Sequence, residues 1–300
     1  MIAWSSAGTR SWFTPGVAGT FRYVLADVFT DTPLTGNGLA VFTDARDIPE
    51  EQLQPLAREL NLSETVYVYP AEEGSEAHVR VRIFTPGSEL DFAGHPVLGT
   101  AFVLGGPLQL EEIRLLTGRG VVPIRLEREG ARIVFGRMSQ PLPASQPYEH
   151  EPELLAALGV ERPELPVILY DNGIRHAFVA LASVEEVSAL DPDMTALAKL
   201  TGYVGAVVFA GEGSRWRVRM FAPGDGITED PATGSAAGPL GVHLARHGRI
   251  DWGDEIEIDQ GVEMGRPSKL FVRVEGEGDT PATVEVGGSA VIVARGEFRF

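Results

Sequence analysis

The amino-acid sequence contains an internal duplication, and this feature limits the fold more than any other. The segment RVRIFTPG at 80–87 returns as RVRMFAPG at 217–224, with six of the eight positions identical. A second matched pair follows, because GHPVLGTA at 94–101 and EDPATGSA at 229–236 share Pro, Gly and Ala. Two pairs of repeats in the same order indicate a chain built from two similar units.

Each repeat has the pattern of a strand, a turn and a helix. Alternating residues predict the strand, Pro-Gly ends it, and the helix follows. We expect Pro96 and Pro231 at the first helical position, where a missing N–H costs nothing. His95 and Asp230 would then be N-cap residues at equivalent positions of the two halves. The duplication thus predicts that they face each other across a cleft.

The first of these helices, PVLGTAFVL at 96–104, is apolar on every side. A surface helix would carry polar residues on its outer face, so this pattern indicates a helix that is buried all round. We therefore expect a sheet to wrap around it.

The domain boundaries follow from the duplication and from the composition. We expect an N-terminal domain at 21–145 and a C-terminal domain at 146–300, joined by the Pro-rich polar stretch at 140–153. Residues 1–20 are rich in Gly, Ser and Thr without a period, and we expect a disordered leader there. The final strand is a candidate to return to the first domain, with strands expected near 282–286, 290–294 and 297–300.

The composition excludes several classes of function. Forty-two acidic and 25 basic residues give a formal charge of −17, which repels phosphate backbones and anionic membranes. No run of 18 apolar residues and no secretory signal is present, so we expect a cytoplasmic protein without nucleic-acid or membrane partners. The absence of cysteine excludes disulfides, thiolate metal sites and thiol acid/base groups.

Two helix N-termini that point into one cleft would attract an anion, because their first N–H groups are unpaired and their dipoles are positive there. The simplest ligand is the carboxylate of a small substrate. Small and hydroxyl residues of the first turns would let it approach the backbone, namely Gly99, Thr100, Gly234 and Ser235. The alternative is that these residues only allow tight helix packing.

Three side chains are candidates for catalysis. Glu64 follows Ser63 where a strand opens after a short helix near 50–60, and partial burial would raise its pKa toward the range of a proton shuttle. The dipole of its helix would keep His95 neutral, so that it could polarise a substrate carbonyl. Asp230 is a candidate because the duplication places it at the position that matches His95. The alternatives are a surface glutamate and two structural helix caps.

Cofactor chemistry finds little support in the sequence. His243 and His247 have i, i+4 spacing, but no Glu follows His243 and Gly248 ends the segment. Histidines in a last helical turn explain this pattern better than a metal site does. No Gly-rich loop of a nucleotide-binding type is present, so we expect neither a metal nor a cofactor.

Several segments together resemble the phenazine-biosynthesis isomerase family, in the right order and over nearly the whole chain after residue 20. The resemblance implies an α+β fold shared with diaminopimelate epimerase, in which two pseudo-symmetric domains each wrap a curved, mostly antiparallel sheet or barrel around a central buried helix. The segments are DVFTDTPLTGNGLAVF at 27–42, SETVYVY at 63–69, RIFTPGSELDFAGHPVLGTA at 82–101, RMFAPGDGITEDPATGSAAGPL at 219–240, QGVEMGRPS at 260–268 and VGGSAV at 286–291.

The resemblance also implies roles for individual residues. Glu64 would be the acid/base, while His95 and Asp230 would bind and orient the substrate. The family's reaction is the isomerisation of trans-2,3-dihydro-3-hydroxyanthranilate, in which one glutamate moves a proton between ring carbons without a cofactor. Homodimers are common in the family, so we expect one here. The substrate-binding candidates are Asn37, Ser63, Gly94, Gly234 and Ser235.

Two positions depart from the family's usual pattern, since Gly38 and Asp91 both stand where proline is common. Related epimerases use two cysteines, and a chain without cysteine cannot follow that mechanism. A proton-shifting isomerase that acts on a small carboxylated substrate is the leading hypothesis. A one-base epimerase with Glu64 and Asp230 as paired acids, and a metabolite-binding protein without catalysis, stay open.

Overall fold

The computed structural model describes residues 19–300 apart from positions 201 and 204. The predicted leader therefore lies outside the described residues except for its last two. Gly19 exchanges backbone hydrogen bonds with Phe300, and the first strand begins at Thr20, so these two residues belong to the sheet. Within this part of the chain, no helix is long and apolar enough to cross a membrane.

Eight strands and two longer helices make up the first half of the described chain. In chain order they are β1 (Thr20–Val28), β2 (Asn37–Phe42), α1 (Glu50–Leu60), β3 (Glu64–Pro70), β4 (Val79–Phe84), β5 (Glu89–Leu90), α2 (Gly94–Leu108), β6 (Glu112–Thr117), β7 (Gly120–Glu129) and β8 (Arg132–Ser139). The strand, turn and helix predicted for the first repeat are β4, the loop that holds β5, and α2.

The second half repeats this order with extra short helices. Its elements are β9 (Ala144–Pro147), α3 (Glu151–Leu158), β10 (Ile168–Asp171), β11 (Arg175–Ala180), α4 (Val184–Ala189), α5 (Met194–Leu197), β12 (Gly205–Glu212), β13 (Arg215–Ala222), β14 (Ile227–Asp230), α6 (Gly234–Arg246), β15 (Glu255–Gln260), β16 (Ser268–Glu277), β17 (Thr280–Gly288) and β18 (Ala290–Arg299). A single turn of 3₁₀ helix at Pro223–Asp225 precedes β14.

The strand pairings of the two halves match one by one. In the first half, β2 and β3 are parallel, β3 and β4 antiparallel, and β4 and β6 parallel, before the antiparallel run β6–β7–β8. In the second half, β11, β12, β13, β15, β16 and β17 repeat these pairings in the same order. The duplication seen in the sequence is therefore a duplication of topology.

The halves are joined through two further pairings. Strand β17 pairs with β8, while the last strand, β18, crosses back and pairs with β1 along its length. Strand β9 holds the corresponding place beside β10 in the second half. The stretch at 140–153, predicted to link the two domains, contains β9 and the start of α3.

A helix lies at the centre of each half. Helix α2 packs against β1, β2, β3, β6, β7, β8 and β18, which agrees with a helix that is apolar on every side. Helix α6 packs against β16 and β17, and every residue from Gly234 to Ala245 is buried. Because both helices are buried on all sides, their positions are fixed by packing. Their N-terminal ends are therefore held in contact.

Gly94 should tolerate no side chain, because a Cβ there would lie 2.4 Å from the carbonyl carbon of Gly234. Gly94→Ala should therefore lower the free energy of unfolding by about 1–3 kcal/mol, as overpacking of a close contact does. Gly106→Ala in the same helix is the matched control, since a Cβ there meets nothing within 4 Å and should stabilise the helix by about 0.5–1 kcal/mol. Urea unfolding of both variants checks this; equal effects would contradict the contact.

Candidate active site

Helices α2 and α6 begin against each other. Gly94 of α2 touches the backbone of Gly234 and Ser235 in α6. The first-turn N–H groups of these three residues and of His95 have no acceptor in the described part of the chain, as is usual where a helix starts. All four residues line one cavity. Two positive helix ends therefore converge there, which is the arrangement that binds an anion.

The predicted helix caps were wrong. The N-cap residues are Ala93 for α2 and Thr233 for α6, so His95 lies inside the first turn and Asp230 ends β14. The proline after each residue misled the prediction, since a proline is tolerated at several early positions of a helix and in extended segments as well.

His95 and Asp230 are also not equivalent in the two halves. In β4, Ile83 pairs with Leu90, and the matching Met220 of β13 pairs with Asp230, so Leu90 is the counterpart of Asp230. His95 is the second residue of its helix, as Ser235 is of α6. The loop before α6 is longer because it contains the 3₁₀ turn, and this shifted the alignment of the second pair of motifs.

Glu64 begins β3 and lies at the cavity wall. Its side chain is only 11% exposed, and its Oε2 lies 3.3 Å from Nε2 of His95. Burial, together with the negative charges of Asp230 and Asp225, raises the pKa of the Glu64 carboxyl well above its ordinary value of 4.5. A carboxyl with a raised pKa can both release and accept a proton near neutral pH.

His95 is held as a neutral imidazole. Burial lowers its pKa to about 3. Its Nδ1 faces the amide nitrogen of Asn37 at 3.2 Å, and that nitrogen also donates to Asp230 Oδ1 and to the Ala232 carbonyl. The two hydrogens of this nitrogen serve its shorter contacts to Asp230 and Ala232, and an amide nitrogen does not accept, so a proton on Nδ1 of His95 would have no acceptor there. This favours the tautomer with the ring proton on Nε2. The Nε2–H group therefore faces Glu64 and the cavity.

The carboxylate of Asp230 is the acceptor for several side chains. Its Oδ1 accepts from Ser63 Oγ and Asn37 Nδ2, both at 2.8 Å, and its Oδ2 accepts from Thr233 Oγ1 at 2.7 Å. Burial raises the pKa of Asp230, and these hydrogen bonds oppose that rise. Asn37 and Ser63 do not line the cavity. Both side chains instead donate hydrogen bonds to Asp230, and these hydrogen bonds orient its carboxylate.

Four polar residues that hold the start of α6 went unpredicted. Pro239 cannot donate to the carbonyl of Ser235, and Nδ2 of Asn172 donates to that carbonyl instead, at 2.9 Å. Gln140 donates to the carbonyl of Gly234 at 2.8 Å. The others are Gln260, which bonds Asp230 and Thr233, and His176, which contacts Ser235. Single polar residues in strand or loop patterns gave no signal in the sequence.

The second half has no counterpart of the Glu64 carboxyl. Glu64 stands two residues before Val66, which pairs with Ile83, and the matching residue before Val207 is Gly205. A Cβ at Gly205 would lie 3.0 Å from His176 Nδ1 and 2.7 Å from the sulfur of Met220. A larger side chain has no space at this position, so the second half supplies no carboxyl at the place that matches Glu64.

The cavity is small and acidic. Its volume is ≈ 30 Å³, room for roughly one or two waters, and its walls combine apolar residues with the carboxyls of Glu64, Asp225 and Asp230. No Lys or Arg is among the residues that line it. A larger cavity of ≈ 410 Å³ lies beside Phe29, but its Lys269 is paired with Glu257 and Asp259. The buried acid/base candidates Glu64, His95 and Asp230 all lie in the smaller cavity.

The remaining candidate positions lie elsewhere. Gly38 pairs with Asp27 in the sheet, Asp91 is exposed beside Gly118, and neither lines the cavity. His243 is buried with its ring 4.3 Å from that of His247. Among residues 19–300, apart from the two positions not described, no three His, Cys, Asp or Glu side chains are grouped as metal ligands.

Comparison with known proteins gives consistent matches over almost the whole chain. A family described as "Phenazine biosynthesis-like protein" matches residues 26–296. The trans-2,3-dihydro-3-hydroxyanthranilate isomerase of Pseudomonas aeruginosa is 48% identical, over 92% of this chain and 98% of that protein.

Two solved structures share the fold. A PhzF family protein from Bacillus anthracis has a TM-score of 0.79 at 24% identity, over 93% of this chain and 99% of that one. A predicted epimerase from Pseudomonas aeruginosa, PA4716, has a TM-score of 0.78 at 30% identity with the same coverage. The predicted α+β fold of two pseudo-symmetric halves is confirmed.

Because its pKa is raised in the folded protein, Glu64 should lower the free energy of unfolding as the pH rises. Above about pH 4.5 the unfolded chain loses the proton that the folded chain still binds, so rising pH favours unfolding through this group. Glu64→Gln removes the effect, and its stability relative to the native protein should increase from pH 4 to pH 8. Urea unfolding across this range checks it, with exposed Glu59→Gln as the control. A stability difference that stays constant with pH would contradict the raised pKa of Glu64.

Proposed function

Because the chain belongs to the phenazine biosynthesis-like family and is an isomerase, we propose that it shifts a proton on a small cyclic amino acid of the dihydro-hydroxyanthranilate type. The observation that carries this proposal is the position of Glu64, which lies buried beside two converging helix starts. The 48% identity to an enzyme named for that substrate supports the substrate class.

In the proposed complex, the substrate carboxylate binds at the first turns of α2 and α6. The free N–H groups of Gly94, His95, Gly234 and Ser235 supply donors, and the two helix dipoles supply the positive potential. This compensates for a cavity that has no Lys or Arg. A ring does not fit in ≈ 30 Å³, so binding requires the walls to move apart.

Glu64 is the proposed proton carrier. Its carboxylate takes a proton from one ring carbon and returns it to another, so that one C–H bond breaks, one forms and the double bond moves. The Nε2–H of His95 donates a hydrogen bond to the substrate or to Glu64 and orients the transfer. The step is balanced without an oxidant or a second substrate, so we propose that no cofactor takes part. Activity should persist after dialysis against a chelator.

Incubation of the native enzyme with trans-2,3-dihydro-3-hydroxyanthranilate in deuterated water distinguishes the candidate functions by NMR. A moved double bond, with deuterium on a carbon that was previously unprotonated, supports the isomerase. An inverted centre that carries deuterium indicates a one-base epimerase. Binding without either change indicates a metabolite-binding protein and overturns the proposal.

Glu64→Gln should reduce kcat by about 10²–10⁴ or more, because the amide keeps the shape of the side chain but cannot carry the proton. Its affinity for the substrate should stay close to that of the native enzyme. Steady-state kinetics check this, with Glu59→Gln, the same change at an exposed position, as the control. Turnover at the native rate in Glu64→Gln would remove Glu64 from the mechanism.

A further inference from the structure

His176 is a buried histidine in β11 to which the proposed mechanism gives no part. It is 1% exposed and lines the cavity, and its Nε2 lies 3.2 Å from Oγ of Ser235. Burial lowers its pKa to about 4, so the ring is neutral at physiological pH. A neutral imidazole donates from one nitrogen and accepts at the other, so its tautomer decides which way the Ser235 hydroxyl points.

The surroundings of Nδ1 favour one tautomer. This atom is buried without a hydrogen-bond partner in the described part of the chain, and it lies close to Gly205, where a Cβ would be 3.0 Å away. A proton there would be a buried donor without an acceptor, which is rarer in folded proteins than a buried acceptor without a donor. With the proton on Nε2, the ring donates to Ser235 Oγ, and the serine hydrogen is free.

We propose that His176 is a positioning residue that turns the hydroxyl hydrogen of Ser235 toward the substrate carboxylate. Ser235 is the second residue of α6, so its hydroxyl lies beside the free N–H groups of the two helix starts. In the other tautomer the hydroxyl would donate to His176 and turn a lone pair toward the anion. The inference deepens the proposed function and rests on its carboxylate site.

The place of His176 in the fold supports this role. His176 is paired with Gly205, the position that corresponds to Glu64 in the first half. The imidazole thus fills the space that a second acid/base would need, and its Nε2 reaches across to Ser235. The second half adds to anion binding in this way, while the proton carrier comes from the first half.

The tautomer can be tested without any ligand. In ¹⁵N-labelled native protein, the long-range proton–nitrogen spectrum should show His176 with Nε2 protonated and Nδ1 bare, and the signal is assigned by its loss in His176→Asn. A proton on Nδ1 would overturn the inference.

Binding of anthranilate, an aromatic amino carboxylate, tests the consequence by calorimetry. His176→Asn lacks a donor at the Nε2 position and should raise Kd about tenfold, as the loss of one oriented hydrogen bond to an anion does. His176→Gln, whose amide reaches that position, should restore Kd to within about threefold of native. In a Ser235→Ala background, His176→Asn should have no further effect.

Two results of the binding experiment would also overturn the inference. One is an equal loss of affinity from His176→Asn with and without the Ser235 hydroxyl, which indicates a purely structural role. The other is native protein that fails to bind anthranilate. Native protein that binds anthranilate with the expected coupling, yet isomerises nothing, contradicts the proposed isomerase and supports the positioning role of His176.

Discussion

The contact between the first turns of α2 and α6 is the constraint on which the site depends. Two helix ends, each with about half a positive charge, meet where Gly94 touches the backbone of Gly234 and Ser235. Like charges so close repel each other unless negative groups lie nearby. The carboxyl of Asp230 lines the same cavity, and in the proposed complex the substrate carboxylate binds there. Both helices are buried, so water and salt screen this field little.

The sequence predicted the parts of this structure that depend on repetition and on hydrophobic pattern. The duplication, the buried helix α2, and the strand that begins at Glu64 were all readable, because each extends over many residues. The pairing of His95 with Asp230 was not, since a single extra turn at Pro223–Asp225 shifts the second half relative to the first. The environment of Asp230 depends on Asn37 and Ser63, which are far away in the chain. No local pattern reports contacts of that kind.

The two halves share their topology but differ in the chemistry of matching positions. Glu64 corresponds to Gly205, Asp230 to Leu90, and Ser235 to His95. A symmetric site with an acid/base on each side could remove a proton at one face of a substrate and add a proton at the other, as an inversion of configuration requires. In the proposed mechanism, glycine at the position that matches Glu64 leaves Glu64 as the proton carrier, and transfer then proceeds along one face of the substrate.

The crossing of β18 to β1 has a consequence for the order in which the described chain can fold. Strand β1 pairs with β2 on one side, and its partner on the other side is β18, at the opposite end of the described residues. A contact between segments so distant in the chain closes a long loop, and we expect it to form late because the loop-closure entropy must be lost before the contact stabilises the fold. Until β18 arrives, one edge of β1 stays open, and open edges recruit strands from other chains. The first half is therefore the half that is exposed to mispairing while the chain refolds.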